Sequence, residues 1–136
     1  MSPRLPEALV RKVDAIQIRV PDLEAGLAFY RDGLGHQVIW RTPRAVGLRL
    51  PDCDAELVLQ TERAGPELNL LVDSVDAAVE RVLAAGGSIE VAPFEIQIGR
   101  CVVVRDRWGT ALVLLDKSKG LLVTDEVGNV IGNRRE

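Results

Sequence analysis

The sequence predicts an α+β fold built from two tandem βαβββ units. The first observation is an internal repeat: a shift of 52 residues aligns Val20 with Val72 and Gly35 with Gly87. The second is that each half begins with an alternating strand followed by an amphipathic helix. The third is the size of the chain: 136 residues, 47% of them apolar, are enough for one domain with a packed core.

The first strand of each unit has one apolar face. Ile16 and Ile18 share that face in the first unit, and Leu68 and Leu70 share it in the second, because residues two apart lie on the same side of a strand.

A helix follows each of these strands. Asp22 and Ser74 are predicted N-caps, because their side-chain oxygens accept hydrogen bonds from the free N–H groups of the first helical turn. Gly35 and Gly87 fit the glycine-rich ends of the two helices.

Three further strands are expected in each unit, near residues 37–41, 46–50, 55–61, 88–91, 101–105 and 110–115. A second shift, of 55 residues, aligns the last strands and places Leu57 on Leu112. We expect a single domain over residues 1–136. Its parts are a first unit at about 12–61, a linker at 62–66, a second unit at about 67–117 and a C-terminal extension at 118–136. The extension could form a hairpin around Gly128-Asn129.

The composition argues against several partner classes. The net charge is −3, with 17 basic and 20 acidic residues, and no basic block of the kind that binds nucleic acid is present. No apolar stretch approaches the roughly 20 residues that a membrane-spanning helix needs, and the N-terminus lacks the pattern of a secretory signal. We therefore expect a cytoplasmic protein, with no nucleic-acid or membrane partner, whose two cysteines, Cys53 and Cys101, are free thiols.

Three segments resemble one family. VPDLEAGLAFYRDGLG (20–35) and VDSVDAAVERVLAAGG (72–87) are similar to the helix signatures of the vicinal oxygen chelate superfamily, which includes glyoxalases, bleomycin-resistance proteins and dioxygenases. VRDRWGTALVLLD (104–116) resembles its closing strand pair, with Arg107 and Thr110 in place of the usual proline and asparagine. The resemblance covers about residues 12–117. It implies that the strands form a curved, half-open barrel around a cavity, within one chain or across a dimer.

The resemblance also implies where a metal would bind. The family holds its metal at four positions, which correspond here to Ala15, Val58, Glu67 and Val113. Alanine and valine have no donor atom, whereas a catalytic metal site usually keeps three or more protein ligands. We therefore expect neither a metal nor another cofactor.

The strand face opposite the predicted core is a mixed polar and apolar surface, as ligand pockets often are. On their own, these residues fit a solvated sheet face at least as well, but the resemblance favours a cavity. The ligand-binding candidates are Gln17, Arg19, Val58, Gln60, Glu67, Asn69 and Val113.

Three functions remain open from the sequence. The first is a metal-independent protein that binds a small organic molecule, as the drug-sequestering members of the family do. The second is a metal-independent enzyme of the lyase, isomerase or oxygenase-like type, with Glu67 as acid or base. The third is a non-catalytic interaction module with a filled cup. In each reading we expect a homodimer.

Overall fold

The computed structural model describes residues 7–134 and contains two βαβββ units followed by a hairpin. Residues 1–6 and 135–136 of the predicted domain lie outside the described residues. The first unit contains strands β1 (Lys12–Arg19), β2 (Val38–Arg41), β3 (Ala45–Arg49) and β4 (Glu56–Gln60). The second contains β5 (Glu67–Leu71), β6 (Ser88–Ile96), β7 (Gly99–Arg105) and β8 (Ala111–Leu115). The hairpin is β9 (Leu121–Thr124) and β10 (Val130–Arg134).

Both helices begin at the predicted caps. The Asp22 side chain accepts a hydrogen bond from Ala25 N at 2.7 Å and begins α1 (Leu23–Leu27), which continues as a π-helical segment over Ala28–Gly33. The periodicity of the sequence did not indicate this widening. Ser74 begins α2 (Val75–Ala84) in the same way. Neither helix of the described chain is long and apolar enough to cross a membrane.

The eight strands of the two units form one curved, open sheet, which confirms the predicted fold. The strand order is β2-β3-β4-β1-β5-β8-β7-β6. The central strands β1 and β5 are antiparallel, while β1–β4 and β5–β8 are parallel. The hairpin β9–β10 forms a separate two-stranded sheet.

The pairing of β1 with β5 confirms the internal repeat. Ile16 lies opposite Leu68, its own equivalent under the 52-residue shift. A residue that faces its own equivalent marks the two-fold axis that relates the two units. The 55-residue shift is confirmed one strand further out, because Val58 pairs with Gln17 just as Val113 pairs with Asn69.

The hydrophobic core is divided between the repeats, with one cluster under each helix. The first cluster consists of Val20, Leu27, Val46, Leu48 and Leu59. The second consists of Val72, Val75, Ala78, Val102, Val104 and Leu114. Because side chains alternate along a strand, burying these residues under the helices turns their neighbours toward the concave face.

Candidate functional site

A cavity of about 620 Å³ lies on the concave face of the first unit. Its floor comes from the two central strands and from β4: Ala15, Gln17, Glu56, Val58, Gln60 and Asn69. Trp40 and Ala45 extend the wall along β2 and β3, and Leu115 contributes from the second unit. The sheet therefore brings residues from both repeats into one cavity within a single chain.

The C-terminal extension and the β6–β7 turn cover this cavity. Ile96, Ile98, Leu122 and Val130 all line it. The hairpin is joined to β2 by a hydrogen bond from the backbone N–H of Arg41 to the carbonyl of Gly128, at 2.7 Å. The predicted hairpin around Gly128-Asn129 is thus present, and it roofs the half-cup of the first unit.

Two amides meet at the centre of the floor. Gln17 Nε2 donates to Asn69 Oδ1 at 2.7 Å, and Arg63 Nη2 donates to Gln17 Oε1 at 2.5 Å. Arg63 also holds Glu67, through Nε to Oε1 at 2.7 Å. Gln17 and Asn69, which the repeat relates, are therefore hydrogen-bonded to each other. Arg63 of the linker holds Gln17 in this orientation through a further hydrogen bond.

Gln60 holds the linker in place. Its Nε2 donates to the carbonyl oxygen of Arg63 at 2.7 Å, and its Oε1 accepts from the backbone N–H groups of Glu62 and Arg63 at 2.8 Å each. Gln60 is only 3% exposed. Although this side chain lines the cavity, its hydrogen bonds serve mainly to position Arg63.

At the β4 edge of the floor, a carboxyl group is hydrogen-bonded to an indole of the neighbouring wall. Trp40 Nε1 donates to Glu56 Oε1 at 2.7 Å. Burial raises the pKa of the Glu56 carboxyl above its usual value, the hydrogen bond from Trp40 and the charge of Lys117 oppose the rise, and the charge of Asp14 adds to it. Glu56 therefore keeps its proton to a higher pH than an ordinary glutamate does.

The predicted site residues divide into two groups. Gln17, Val58, Gln60 and Asn69 line the cavity, whereas Arg19, Glu67 and Val113 are outside its lining. Arg19 is exposed at the end of β1, and the Glu67 carboxylate is occupied by Arg63. Val113 is half-buried beside Asn69.

Trp40, Glu56 and Arg63 also line the cavity but are not among the seven ligand-binding candidates. The alternation along the strand does indicate Glu56, because it lies two residues before Val58 and therefore shares its cavity-side face. Arg63 has no such signal, because it lies in the linker and reaches the site through the linker's conformation.

The residues at the family's metal positions do not fit a divalent ion. Ala15 and Val58 form part of the cavity floor and are 3% and 4% exposed, and neither has a donor atom. Glu67 is the single donor of the four positions and is paired with Arg63. Within residues 7–134, no group of three or more His, Cys, Asp or Glu side chains is arranged to hold a metal.

The family model that matches this chain is the Glyoxalase/Bleomycin resistance protein/Dioxygenase superfamily, over residues 12–114. The chain belongs to this superfamily. A comparison with curated proteins gave no match.

Solved structures share the fold. Methylmalonyl-CoA epimerase from Mycobacterium tuberculosis is 21% identical with a TM-score of 0.68, over 85% of this chain and 93% of that chain. The Mn(II)-bound glyoxalase from Novosphingobium aromaticivorans is 19% identical with a TM-score of 0.59, over 94% of this chain and 42% of that chain. A variant of homoprotocatechuate 2,3-dioxygenase from B. fuscum is 21% identical with a TM-score of 0.58, over 85% and 34%.

Proposed function

We propose that this protein binds a small organic molecule in the roofed cavity of its first unit, without a metal ion. The observation that carries the proposal is the cavity itself: about 620 Å³, lined by aliphatic side chains such as Val58, Ile98 and Leu122 and by a comparable number of polar and charged residues. Small-molecule sites have this volume and combine apolar contact area with polar anchoring groups. The relatives whose names specify an epimerase, a glyoxalase and a dioxygenase all act on small molecules, which supports the same class of ligand here.

The absence of a metal in the proposal follows from residue chemistry. Three of the four family ligand positions are Ala15, Val58 and Val113, which offer only carbon atoms. The fourth, Glu67, has its carboxylate held by a guanidinium. A metal would have to displace Arg63 and would still find only one of the several ligands that it needs.

The other two functions have less support. Glu67 as a general acid or base would have to leave Arg63 and reach a cavity that it does not line. The interaction module was expected to have bulky side chains that fill the cup, whereas a cavity of about 620 Å³ is open there. A cytoplasmic location agrees with the two free thiols, Cys53 and Cys101.

A homodimer is part of the proposal, and the concave face of the second unit supports it. Val91 and Phe94 are 44% and 40% exposed. They pair with Val103 and Cys101 on β7 and so share their side of the sheet, opposite the core residues Val102 and Val104. Light scattering should give about twice the chain mass of 14.8 kDa, and Phe94→Glu should shift it toward the monomer. A monomeric wild-type protein would contradict the dimer.

The test of binding is a fragment screen by thermal shift, with each hit located by NMR. Ala15→Leu places extra carbon atoms on the cavity floor and should abolish binding. Ala111→Leu, at an exposed position of β8, is the matched control and should bind normally.

Elemental analysis of protein grown with added zinc and nickel should show well below one equivalent of metal. Stoichiometric metal, lost in Glu67→Ala, would refute the metal-free site.

A further inference from the structure

One polar group on the cavity floor lacks a partner. Asn69 is 3% exposed and lines the cavity, yet its Nδ2 has no hydrogen-bond partner anywhere in residues 7–134. Buried N–H donors are almost always satisfied in folded proteins, and one left unpaired is unfavourable. A donor in this state, on the floor of a cavity, is available to an acceptor atom of a bound molecule.

The orientation of this amide is fixed by its neighbours. A guanidinium can only donate, so Gln17 must present its acceptor, Oε1, to Arg63. The Nε2 of Gln17 then faces Asn69 and requires an acceptor there, which Asn69 Oδ1 provides at 2.7 Å. The chain of hydrogen bonds runs from Arg63 through Gln17 to Asn69, and it leaves Asn69 Nδ2 as an unpaired donor.

A second polar group lies across the floor from Asn69. Ala15 pairs with Asn69 on one side and with Glu56 on the other, so the three residues form one row across β5, β1 and β4. Neighbouring strands lie about 4.8 Å apart. The small methyl group of Ala15 therefore leaves open space between an amide donor and a carboxyl acceptor.

We propose that the row Asn69–Ala15–Glu56 recognises a neutral carbonyl compound that carries an N–H or O–H donor, such as an amide. The carbonyl oxygen accepts from Asn69 Nδ2, and the N–H or O–H of the ligand donates to the carboxyl group of Glu56. This inference rests on the proposed function, because it specifies the class of ligand that binds in the same cavity. A carboxylate ligand would be repelled by Glu56 and Asp14, and the two arginines of the lining are already paired, Arg44 with Glu62 and Arg63 with Glu67. An ammonium ligand would leave the Asn69 donor unpaired.

Four matched probes separate these ligand classes: benzamide, benzoate, benzylamine and toluene. They are titrated into ¹⁵N-labelled wild-type protein while the side-chain NH₂ signal of Asn69 and the backbone signals of Val58 and Leu115 are followed. We expect benzamide to bind at least tenfold more tightly than the other three and to be the one probe that strongly shifts the Asn69 side-chain signal. This measurement needs no variant.

Variants then test whether Asn69 is the hydrogen-bond donor to the ligand. Asn69→Asp replaces the free donor by an acceptor of the same shape and should weaken benzamide at least tenfold. Gln37→Glu makes the same amide-to-carboxylate change at an exposed residue and should leave affinity unchanged. If Asn69→Asp does not fold, the wild-type titration alone decides.

The possible outcomes separate the two proposals. Probes or screened fragments that shift Val58 and Leu115 without preference for a carbonyl, and without moving the Asn69 signal, would overturn the inference and leave the proposed function standing. If no molecule perturbs the cavity signals, both proposals are wrong.

Discussion

Trp40 donates its indole N–H to Glu56 Oε1, and it lies so close to Gly47 that a Cβ added there would clash with the indole nitrogen. Trp40 and Gly47 are paired residues on the neighbouring strands β2 and β3. The cavity wall therefore depends on a glycine, because a larger residue would occupy the space in which the indole reaches the carboxyl group.

Gly47→Ala should displace the indole and break its bond to Glu56. We expect a loss of about 1–3 kcal/mol in unfolding free energy, the usual effect of overpacking. The emission of Trp40 should also change, which is best measured in a Trp108→Phe background, since these are the two tryptophans of the chain. Gly132→Ala is the control, because nothing lies within 4 Å of its added Cβ. An unchanged emission spectrum would show that the indole does not occupy this position.

Glu56→Gln tests the raised pKa of the cavity carboxyl. Burial, the largest cause, places the pKa of Glu56 in the folded protein above its unfolded value of 4.5. The folded state then binds this proton more tightly, so ionisation lowers stability as the pH rises through the folded pKa, and the penalty is absent below 4.5. Glutamine keeps an acceptor for Trp40 but carries no charge.

The variant should therefore gain more stability relative to wild type at pH 7 than at pH 4, as measured by urea unfolding. Glu126→Gln, at an exposed turn position, should show no such difference between the two pH values. A gain for Glu56→Gln that is equal at both values would place its cause outside the titration of this carboxyl group.

Periodicity and capping residues predicted the strands and helices that occur in both units. They did not predict the full length of the edge strand β6 or the path of the linker. Strand β6 was expected near residues 88–91 and instead runs Ser88–Ile96. Pro93 interrupts the strand pattern, because proline lacks the N–H that an interior strand needs. It is tolerated here because β6 is the last strand of the sheet order, with a neighbour on one side, and its register shifts between Val91 and Phe94.

The candidate site shows the same limit. The alternation of β1 and β5 correctly places Gln17 and Asn69 on the cavity side. Glu67 also shares that face, but the conformation of the linker brings Arg63 to it. The loop of six residues between β4 and β5 (61–66) has no periodicity from which its path can be inferred, so the pairing of Glu67 with Arg63 was not predictable.

Asp116 should be a strong determinant of stability. Its Oδ2 accepts from the N–H of Val75 at the start of α2 at 2.9 Å, and its Oδ1 accepts from the N–H of Arg100 at 3.0 Å. Burial raises the pKa of Asp116, but these bonds and those from Ser118 outweigh it, so the pKa is lowered from 3.8. The stabilisation is therefore present above 3.8 and is lost as the pH falls through the folded value.

Asp116→Asn replaces one acceptor by an NH₂ group that faces N–H donors. We expect a loss of about 1–3 kcal/mol at pH 7, as for a buried donor left unpaired, and a smaller loss in the acid range. Asp52→Asn, at an exposed turn residue, is the control. A loss that stays constant down to pH 2 would contradict the role of the ionised carboxylate.

Leu59 and Leu114 should respond alike to truncation, because the 55-residue shift relates them and each is central to the cluster of its own unit. They are 0% and 1% exposed. Leu59→Ala and Leu114→Ala should each reduce the unfolding free energy by about 2–5 kcal/mol, through lost transfer energy and the cavity that remains. Leu83→Ala, at a side chain that is 51% exposed, should cost much less.

Denaturant unfolding of the three variants measures these losses, and the double variant Leu59→Ala with Leu114→Ala tests their independence. The two clusters contain different residues, so the losses should add; a marked departure from additivity would show that the halves of the sheet share one core.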